Sequence, residues 1–302
     1  MLKLTFFFLL LLITSCNVVK INANSISRKF SRKTIKNYQY KSKDFELNYW
    51  KGGEGPVILF LHGFGGDAQL TWKKELLTLS KNHTVIAPDL LWFGKSNGTV
   101  TPTLNNQTIA IKQLLNYLKI DTFSIIGQSY GGFLALNLTL NNPSFVKKLC
   151  IANCPGNTFN KEELMQVAEK YKVQNVSDLF VVNDEKELKR LYSLIVFKQH
   201  NIPKILLKQI YQMYFNQHHK ALEELMLSLQ FEPLSTEKNE TLKNLKKVVI
   251  WGENDALFSV TEGRKFAESI QATFQSIHNC GHAAQIDQPK LFTNAIVSFF
   301  NN

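Results

Sequence analysis

Short apolar runs alternate with longer segments of helical spacing along most of the 302-residue chain. Six runs rich in β-branched or large apolar residues fit strands of a parallel sheet that is buried on both faces: 57–62, 83–89, 123–127, 148–153, 246–251 and 272–277. Five segments have the spacing of crossover helices: 70–80, 105–118, 130–140, 261–270 and 289–300. Residues 33–41 and 45–51 predict a starting hairpin. The pattern therefore predicts an α/β fold with a mostly parallel, doubly covered sheet.

The alternation breaks after Cys154-Pro-Gly156, and the following segment has helical spacing only. We expect residues 157–240 to form a helical cap inserted into an α/β core of residues 34–156 and 241–302. Apolar residues of this cap either seal it onto the core or line a substrate pocket: Phe180, Val182, Phe197, Met213 and Phe215.

The first residues are expected to form a leader. An apolar run of signal-peptide length, 4–13, follows Lys3, and it ends in Ile13-Thr-Ser-Cys16, which resembles a bacterial lipobox. We expect residues 1–15 to be a signal peptide and Cys16 to be lipidated, which would hold the protein to a membrane of the cell envelope. Cleavage after a small residue such as Ala23, giving a secreted or periplasmic protein, is the alternative.

Much of the net charge of +11 lies beside this leader. Eight Lys and Arg residues and no acidic residue occur from position 20 to position 43. Residues 16–33 are therefore expected to be a basic tether that is drawn to anionic lipid headgroups, or else simply solvated. Charge confined to a tail, without a recognition motif, gives no support to nucleic-acid binding.

Three cysteines remain in the folded body, Cys150, Cys154 and Cys280, and an odd number cannot all pair within one chain. A disulfide between Cys154 and Cys280 stays open at this point because both follow predicted strand ends. The sequence shows no metal-ligand spacing, and we expect neither a metal nor another cofactor.

A candidate nucleophile lies where the third core strand turns into a helix, in Gly127-Gln-Ser-Tyr-Gly-Gly132. A hydroxyl on such a turn, here that of Ser129, is held where a base can reach it. Asp255 ends a later strand, and His282 follows in a loop, so the chain order is nucleophile, acid, base. Serine needs such a base, and the base needs an acid that orients it. His278 is the nearest rival base; Glu253 and Asp287 are the alternative acids.

Five motifs in this order make the chain resemble the α/β-hydrolases, a group that includes monoacylglycerol lipases, carboxylesterases and carbon–carbon bond hydrolases. The motifs are His62-Gly-Phe-Gly-Gly66, Pro88-Asp-Leu-Leu-Trp-Phe-Gly-Lys-Ser96, Gly127-Gln-Ser-Tyr-Gly-Gly132, Trp251-Gly-Glu-Asn-Asp255 and Gly281-His282. The resemblance implies an oxyanion hole formed by the backbone N–H groups of Phe64 and Tyr130.

We therefore expect a serine hydrolase that cleaves small-molecule or lipid-like carboxylic esters with apolar acyl groups. Carbon–carbon bond hydrolysis is the enzymatic alternative, although relatives of that kind usually carry a polar Arg in the cap and Arg190 is the only Arg in this one. A ligand-binding protein of the same fold without catalysis is the alternative from a different class.

Overall fold

The computed structural model describes residues 17–159, 161–231, 234 and 239–302. Over these residues a sheet of nine strands forms the centre of the fold. The strands are β1 (Lys36–Lys41), β2 (Phe45–Gly52), β3 (Val57–Leu61), β4 (Thr84–Pro88), β5 (Asn97–Gly98), β6 (Phe123–Gln128), β7 (Val146–Ala152), β8 (Lys246–Gly252) and β9 (Thr273–Ile277). Apart from the two-residue β5, each of them coincides with a predicted strand to within a few residues.

The strands follow the order β1-β2-β4-β3-β6-β7-β8-β9, and β5 pairs with β2. The pairs that involve β2 are antiparallel, whereas all pairs from β4 to β9 are parallel. Every residue of β6 is buried, as expected of a central strand covered on both faces. The carboxyl ends of the parallel strands therefore meet at one edge of the sheet, where ligands bind in open α/β folds.

Helices cover both faces of the sheet, as the sequence pattern predicts. They are α1 (Val18–Ser31), α2 (Ala68–Thr71), α3 (Lys73–Leu79), α4 (Leu104–Tyr117), α5 (Tyr130–Asn141), α6 (Lys161–Lys170), α7 (Glu185–Ile195), α8 (Lys204–Tyr214), α9 (His219–Phe231), α10 (Val260–Ser269), α11 (Ala284–Asp287) and α12 (Pro289–Asn301). Alternate strand residues face two apolar clusters: α3 and α12 join one cluster, and α4, α5 and α10 join the other.

The chain between β7 and β8, where the sequence alternation breaks, is helical in its described part and contains α6 to α9. Phe180, Val182 and Phe215 of this cap are buried in the apolar cluster on the side of α5, whereas Phe197 is 45% exposed. Met213, the fifth cap residue named in the sequence analysis, is half-buried and packs against the same cluster.

The expected basic tether is instead largely an ordered helix, α1, which is a correction to the sequence analysis. Asn17 accepts a hydrogen bond from the backbone N–H of Lys20 and so begins the helix. Ile26 and Phe30 are buried against the sheet, and the Phe30 ring meets the Trp50 ring edge-on with 5.0 Å between centroids. Burial of these apolar residues at helical spacing stabilises the helix, although many Lys and Asn residues surround them in the sequence.

The predicted signal peptide and Cys16 lie outside the described residues. Within the described part of the chain, no helix has both the length and the apolar character that crossing a bilayer requires.

The three cysteines of the described chain are free buried thiols. Cys154 belongs to the apolar cluster on the α5 side and Cys280 to the cluster on the α12 side, so the sheet separates them. The disulfide left open from the sequence is absent between these two residues. Burial raises the pKa of Cys280 to about 12, with nearby carboxylates adding to the effect, so this thiol stays protonated at neutral pH.

Candidate active site

Ser129 occupies the sharp turn between β6 and α5. Its backbone angles, φ 50° and ψ −120°, are costly for a residue with a side chain and hold the hydroxyl clear of the sheet. The turn fits only because its neighbours are glycines: a Cβ on Gly127 would lie 2.1 Å from the carbonyl oxygen of Gly131, and one on Gly131 would lie 2.3 Å from that of Leu61. The motif is therefore a consequence of close backbone packing around the serine.

The three predicted catalytic side chains form one hydrogen-bonded chain. Nε2 of His282 lies 2.8 Å from Oγ of Ser129, and Nδ1 of His282 lies 2.8 Å from Oδ2 of Asp255. With the proton on Nδ1, the imidazole donates to the carboxylate and accepts from the serine hydroxyl. The Asp255 carboxylate is hidden from solvent and the His282 side chain nearly so. This geometry equips Ser129 to act as a nucleophile with His282 as its base.

A fourth residue, Asn153, braces the acid and was missed in the sequence. Its amide nitrogen donates to Oδ2 of Asp255 at 2.9 Å, while the backbone N–H groups of Leu257 and Phe258 donate to Oδ1 at 2.9 and 3.1 Å. Asn153 directly follows β7 and has φ 48°, a conformation that Asn tolerates better than most residues. A polar residue at the carboxyl end of a central strand was the signal that could have identified it.

The rival bases and acids lie elsewhere. His278 is exposed, and Glu253 accepts a hydrogen bond from the Ser276 hydroxyl at 2.8 Å. Asp287 accepts from the backbone N–H groups of Gly281 at 2.7 Å and Phe197 at 2.8 Å. Asp287 thus holds the loop that carries His282 against the cap.

The Gly-rich loop after β3 is fixed by His62. The Nδ1–H of this buried ring donates to the carbonyl of Gly63 at 2.8 Å, and its Nε2 accepts from the N–H of Leu90 at 3.0 Å. Burial lowers the pKa of His62 to about 4, so the ring is neutral at pH 7 and keeps this pair of bonds. Phe64 of this loop and Tyr130 both border the space in front of Ser129. Their roles as oxyanion donors stay a prediction.

Two neighbouring residues of the cap, Tyr214 and Phe215, contact the same Gly-rich loop. The Tyr214 hydroxyl donates to Oδ2 of Asp67 at 3.0 Å, and Oδ1 of Asp67 accepts from the N–H of Leu70 at 2.6 Å. The Phe215 ring lies so close to Gly65, which has φ +73°, that a Cβ there would come within 2.6 Å of the ring. Burial and the neighbouring Asp89 raise the pKa of Asp67 to about 6.

Ser129 and His282 open onto an apolar cavity of about 540 Å³, a typical size for a small-molecule site. Its walls come mainly from the cap and from α1; they include Val19, Leu188, Leu191, Ile195, Leu206, Ile210 and Phe215. A narrower apolar recess leads from Ser129 between Phe133, Phe159, Leu164 and Met226.

Among the described residues, no Lys or Arg lines this cavity, this recess or the adjoining space beside Gln285. Arg190, the cap arginine, donates to the backbone carbonyl of Asp178 inside the cap. The surroundings of the triad therefore favour uncharged, apolar groups.

Residues 56–289 match the family described as alpha/beta hydrolase fold. The chain belongs to this family. It is therefore an α/β hydrolase, as the sequence motifs and the sheet order both indicate.

Among curated proteins, this α/β hydrolase is 25% identical over 266 residues to a 2-hydroxy-6-oxo-6-phenylhexa-2,4-dienoate hydrolase of Comamonas testosteroni, covering 85% of this chain and 91% of that protein. Among solved structures it is similar to a membrane phospholipase A, with a TM-score of 0.78, 18% identity and coverage of 100% and 98%. It is also similar to a meta-cleavage product hydrolase of Pseudomonas fluorescens IP01, with a TM-score of 0.73, 22% identity and coverage of 85% and 94%.

The two structural likenesses show the fold alone. The sequence relative is named as the hydrolase of a 2-hydroxy-6-oxo dienoate rather than of an ester, so it favours the alternative drawn from the sequence over the ester prediction. They leave ester cleavage unconfirmed.

Proposed function

We propose that this α/β hydrolase is a serine hydrolase that cleaves carboxylic esters of apolar acyl or lipid-like substrates. The observation that carries the proposal is the opening of the hydrogen-bonded triad onto an apolar cavity without a Lys or Arg among its described lining residues. An acyl chain would gain about 0.8 kcal/mol for each methylene that it buries there. A charged substrate would lose its hydration without a partner.

The three residues of the triad provide the nucleophile, the base and the acid that an acyl transfer requires. His282 takes the proton of Ser129 as the hydroxyl oxygen attacks the ester carbonyl, and Asp255 stabilises the imidazolium that forms. The proton then passes from His282 to the departing alcohol, which leaves an acyl group on Ser129. Water, deprotonated by the same imidazole, releases the acid. Backbone N–H groups of Phe64 and Tyr130 would stabilise the oxyanion, each contributing about 2.7–4 kcal/mol.

Carbon–carbon bond hydrolysis is the second candidate, and the sequence relative from Comamonas testosteroni favours it. The substrate in that protein's name carries both a phenyl group and a carboxylate. The apolar cavity suits the phenyl group. The carboxylate would need a cation that the described lining residues do not offer, which is why we place this candidate second.

One pair of assays separates the two candidates. We expect p-nitrophenyl butyrate and octanoate to be hydrolysed, and 2-hydroxy-6-oxo-6-phenylhexa-2,4-dienoate to be cleaved far more slowly. Ser129→Ala should lose at least about 10⁴-fold in turnover and all labelling by a fluorophosphonate. Ser177→Ala, which changes a buried serine of the cap, is the control. Faster cleavage of the dienoate than of either ester would reverse the order of the candidates, and loss of neither activity in Ser129→Ala would exclude both.

The location of the enzyme is a separate proposal. We propose that Cys16 carries a lipid that holds the protein to a membrane of the cell envelope, because the lipobox-like Ile13-Thr-Ser-Cys16 follows an apolar leader. Growth with labelled palmitate should label the wild type and leave Cys16→Ser unlabelled. A wild type that takes up no label and is recovered in soluble form would contradict the anchor.

A further inference from the structure

The first turn of α1 forms part of the entrance to the active-site cavity. Val18, Val19 and Asn22 border the cavity that reaches Ser129. The turn is held by α8 of the cap, since Oε1 of Gln209 accepts from the backbone N–H of Val18 at 2.8 Å. The start of the described chain is therefore fixed at the entrance to the substrate cavity.

Large apolar side chains surround this entrance and face solvent. Val18, Leu70 and Ile286 border the cavity from three separate helices, and each remains at least 40% exposed. Ile21 lies one turn beyond Val18 on α1, and Ile205 lies one turn before Gln209 on α8; both are more than half exposed. We name these five residues the entrance surface. An apolar cluster of this kind marks a contact with another molecule or a membrane.

The two helices beside the entrance are basic. Lys20 on α1 and Lys204 and Lys208 on α8 are exposed, and neither helix contains an acidic residue. Apolar side chains flanked by lysines are typical of helices that lie in the headgroup region of an anionic bilayer.

We propose that the entrance surface docks on an anionic phospholipid bilayer, so that the cavity takes its ester directly from the membrane. The inference deepens the proposed function and rests on it. The chain that precedes the described residues supports this occupant, because residue 16, the proposed lipid site, directly precedes Asn17, the N-cap residue of α1. One residue spans at most about 3.6 Å, so an acyl group on Cys16 would bring the first turn of α1 to the lipid surface. The anchor and the entrance would then face the same bilayer.

The test uses the full-length protein and changes two side chains of the entrance surface that do not line the cavity. Ile21→Glu combined with Ile205→Glu places negative charge on the docking face. Hydrolysis of dissolved p-nitrophenyl butyrate should stay within about twofold of the wild type. Hydrolysis of a long-chain ester embedded in vesicles of phosphatidylcholine and phosphatidylglycerol (3:1) should fall at least about tenfold, because two apolar side chains no longer enter the lipid.

A matched double variant controls for adding two acidic residues. Ile109→Glu with Phe145→Glu changes two exposed apolar residues outside the entrance surface, of which Phe145 precedes β7 at the opposite edge of the sheet. This control should hydrolyse both substrates like the wild type. Vesicles of phosphatidylcholine alone, or 0.5 M salt, should lower wild-type activity on the embedded ester and leave dissolved-ester activity unchanged.

Three outcomes would overturn the docking proposal. One is an unchanged rate on embedded ester in the entrance variant, and another is an equal fall in the control variant. The third is a wild-type dimer that the entrance variant dissociates without an effect on vesicle hydrolysis, since a second copy would then cover this face. Failure of the proposed function itself would give a different result, because the wild type would then not hydrolyse the dissolved ester.

Discussion

The sheet edge that carries the triad and the cap that covers it are built in contrasting ways. At the sheet edge, Ser129, Asp255 and His282 are placed by short polar bonds and by backbone turns in which neighbouring glycines have no room for a Cβ. The cap and α1 contribute mainly apolar side chains around an open cavity. Small displacements are therefore costly at the sheet edge, whereas individual cap residues are replaceable. Under the proposed function, bond cleavage depends on the sheet edge, and the choice of substrate depends on the cap and α1.

Changing the acid of the triad should show the largest effect at the sheet edge. Asp255→Asn is expected to lower kcat by about 10⁴-fold, because an amide no longer holds the proton on Nδ1 of His282 and the imidazole loses its charge partner. Steady-state kinetics on p-nitrophenyl butyrate measure this loss. A normal melting temperature would show that the fold is intact, and a loss below tenfold would mean that Asp255 is not the acid.

Removing the brace behind the acid should cost less. Asn153→Gly keeps the positive φ of this position and deletes the amide that bonds Asp255, so we expect kcat to fall about 10- to 100-fold with little change in KM. The backbone N–H groups of Leu257 and Phe258 would still hold the carboxylate. Gln271→Gly replaces an exposed residue at a similar φ of 54° and should leave kcat unchanged. Equal losses in both variants would assign the effect to glycine itself.

A single truncation in the cap should change selectivity more than catalysis. Leu206 borders the cavity, and Leu206→Ala is expected to lower kcat/KM for p-nitrophenyl octanoate about fivefold through lost apolar contact. The acetate ester should lose much less, because its acyl group is too short to fill the cavity. The ratio of the two specificity constants is the measurement. A uniform loss on both esters would mean that this side chain of α8 supports the triad rather than the acyl chain.

The same contrast explains which parts of the molecule the sequence predicts. Close backbone packing restricts the residues at the sheet edge, so Gly127, Ser129 and Gly131 leave a recognisable motif that identifies Ser129. The strands were predicted separately, from their apolar runs. The cap is held by side-chain contacts that many sequences satisfy, so the hydrogen bond from Tyr214 could not be predicted. Of the residues that line the cavity, only Phe180 and Phe215 are among the cap residues named from the sequence. Helix α1 was missed because abundant Lys and Asn residues mask its widely spaced buried positions.

The smallest expected effect concerns the hydrogen bond between Tyr214 of the cap and Asp67 of the Gly-rich loop. It is a change in how stability depends on pH. The pKa of Asp67 is raised from 3.8 to about 6, so the folded state keeps a proton that the unfolded state releases, and stability falls as pH rises between these values. The pKa of His62 is lowered from 6.5 to about 4, so the unfolded state binds the extra proton there, and stability rises with pH over nearly the same range. The two contributions oppose each other in the wild type.

Asp67→Asn removes the first of these contributions and leaves the second. The melting temperature of the variant should therefore rise more steeply than that of the wild type between about pH 4 and pH 6, as measured by calorimetry at half-unit steps. Asp44→Asn, which removes an exposed carboxyl, is the matched control and should keep the wild-type slope. A flatter slope in Asp67→Asn would mean that Asp67 is ionised throughout this range. Tyr214 would then donate to a carboxylate throughout this pH range.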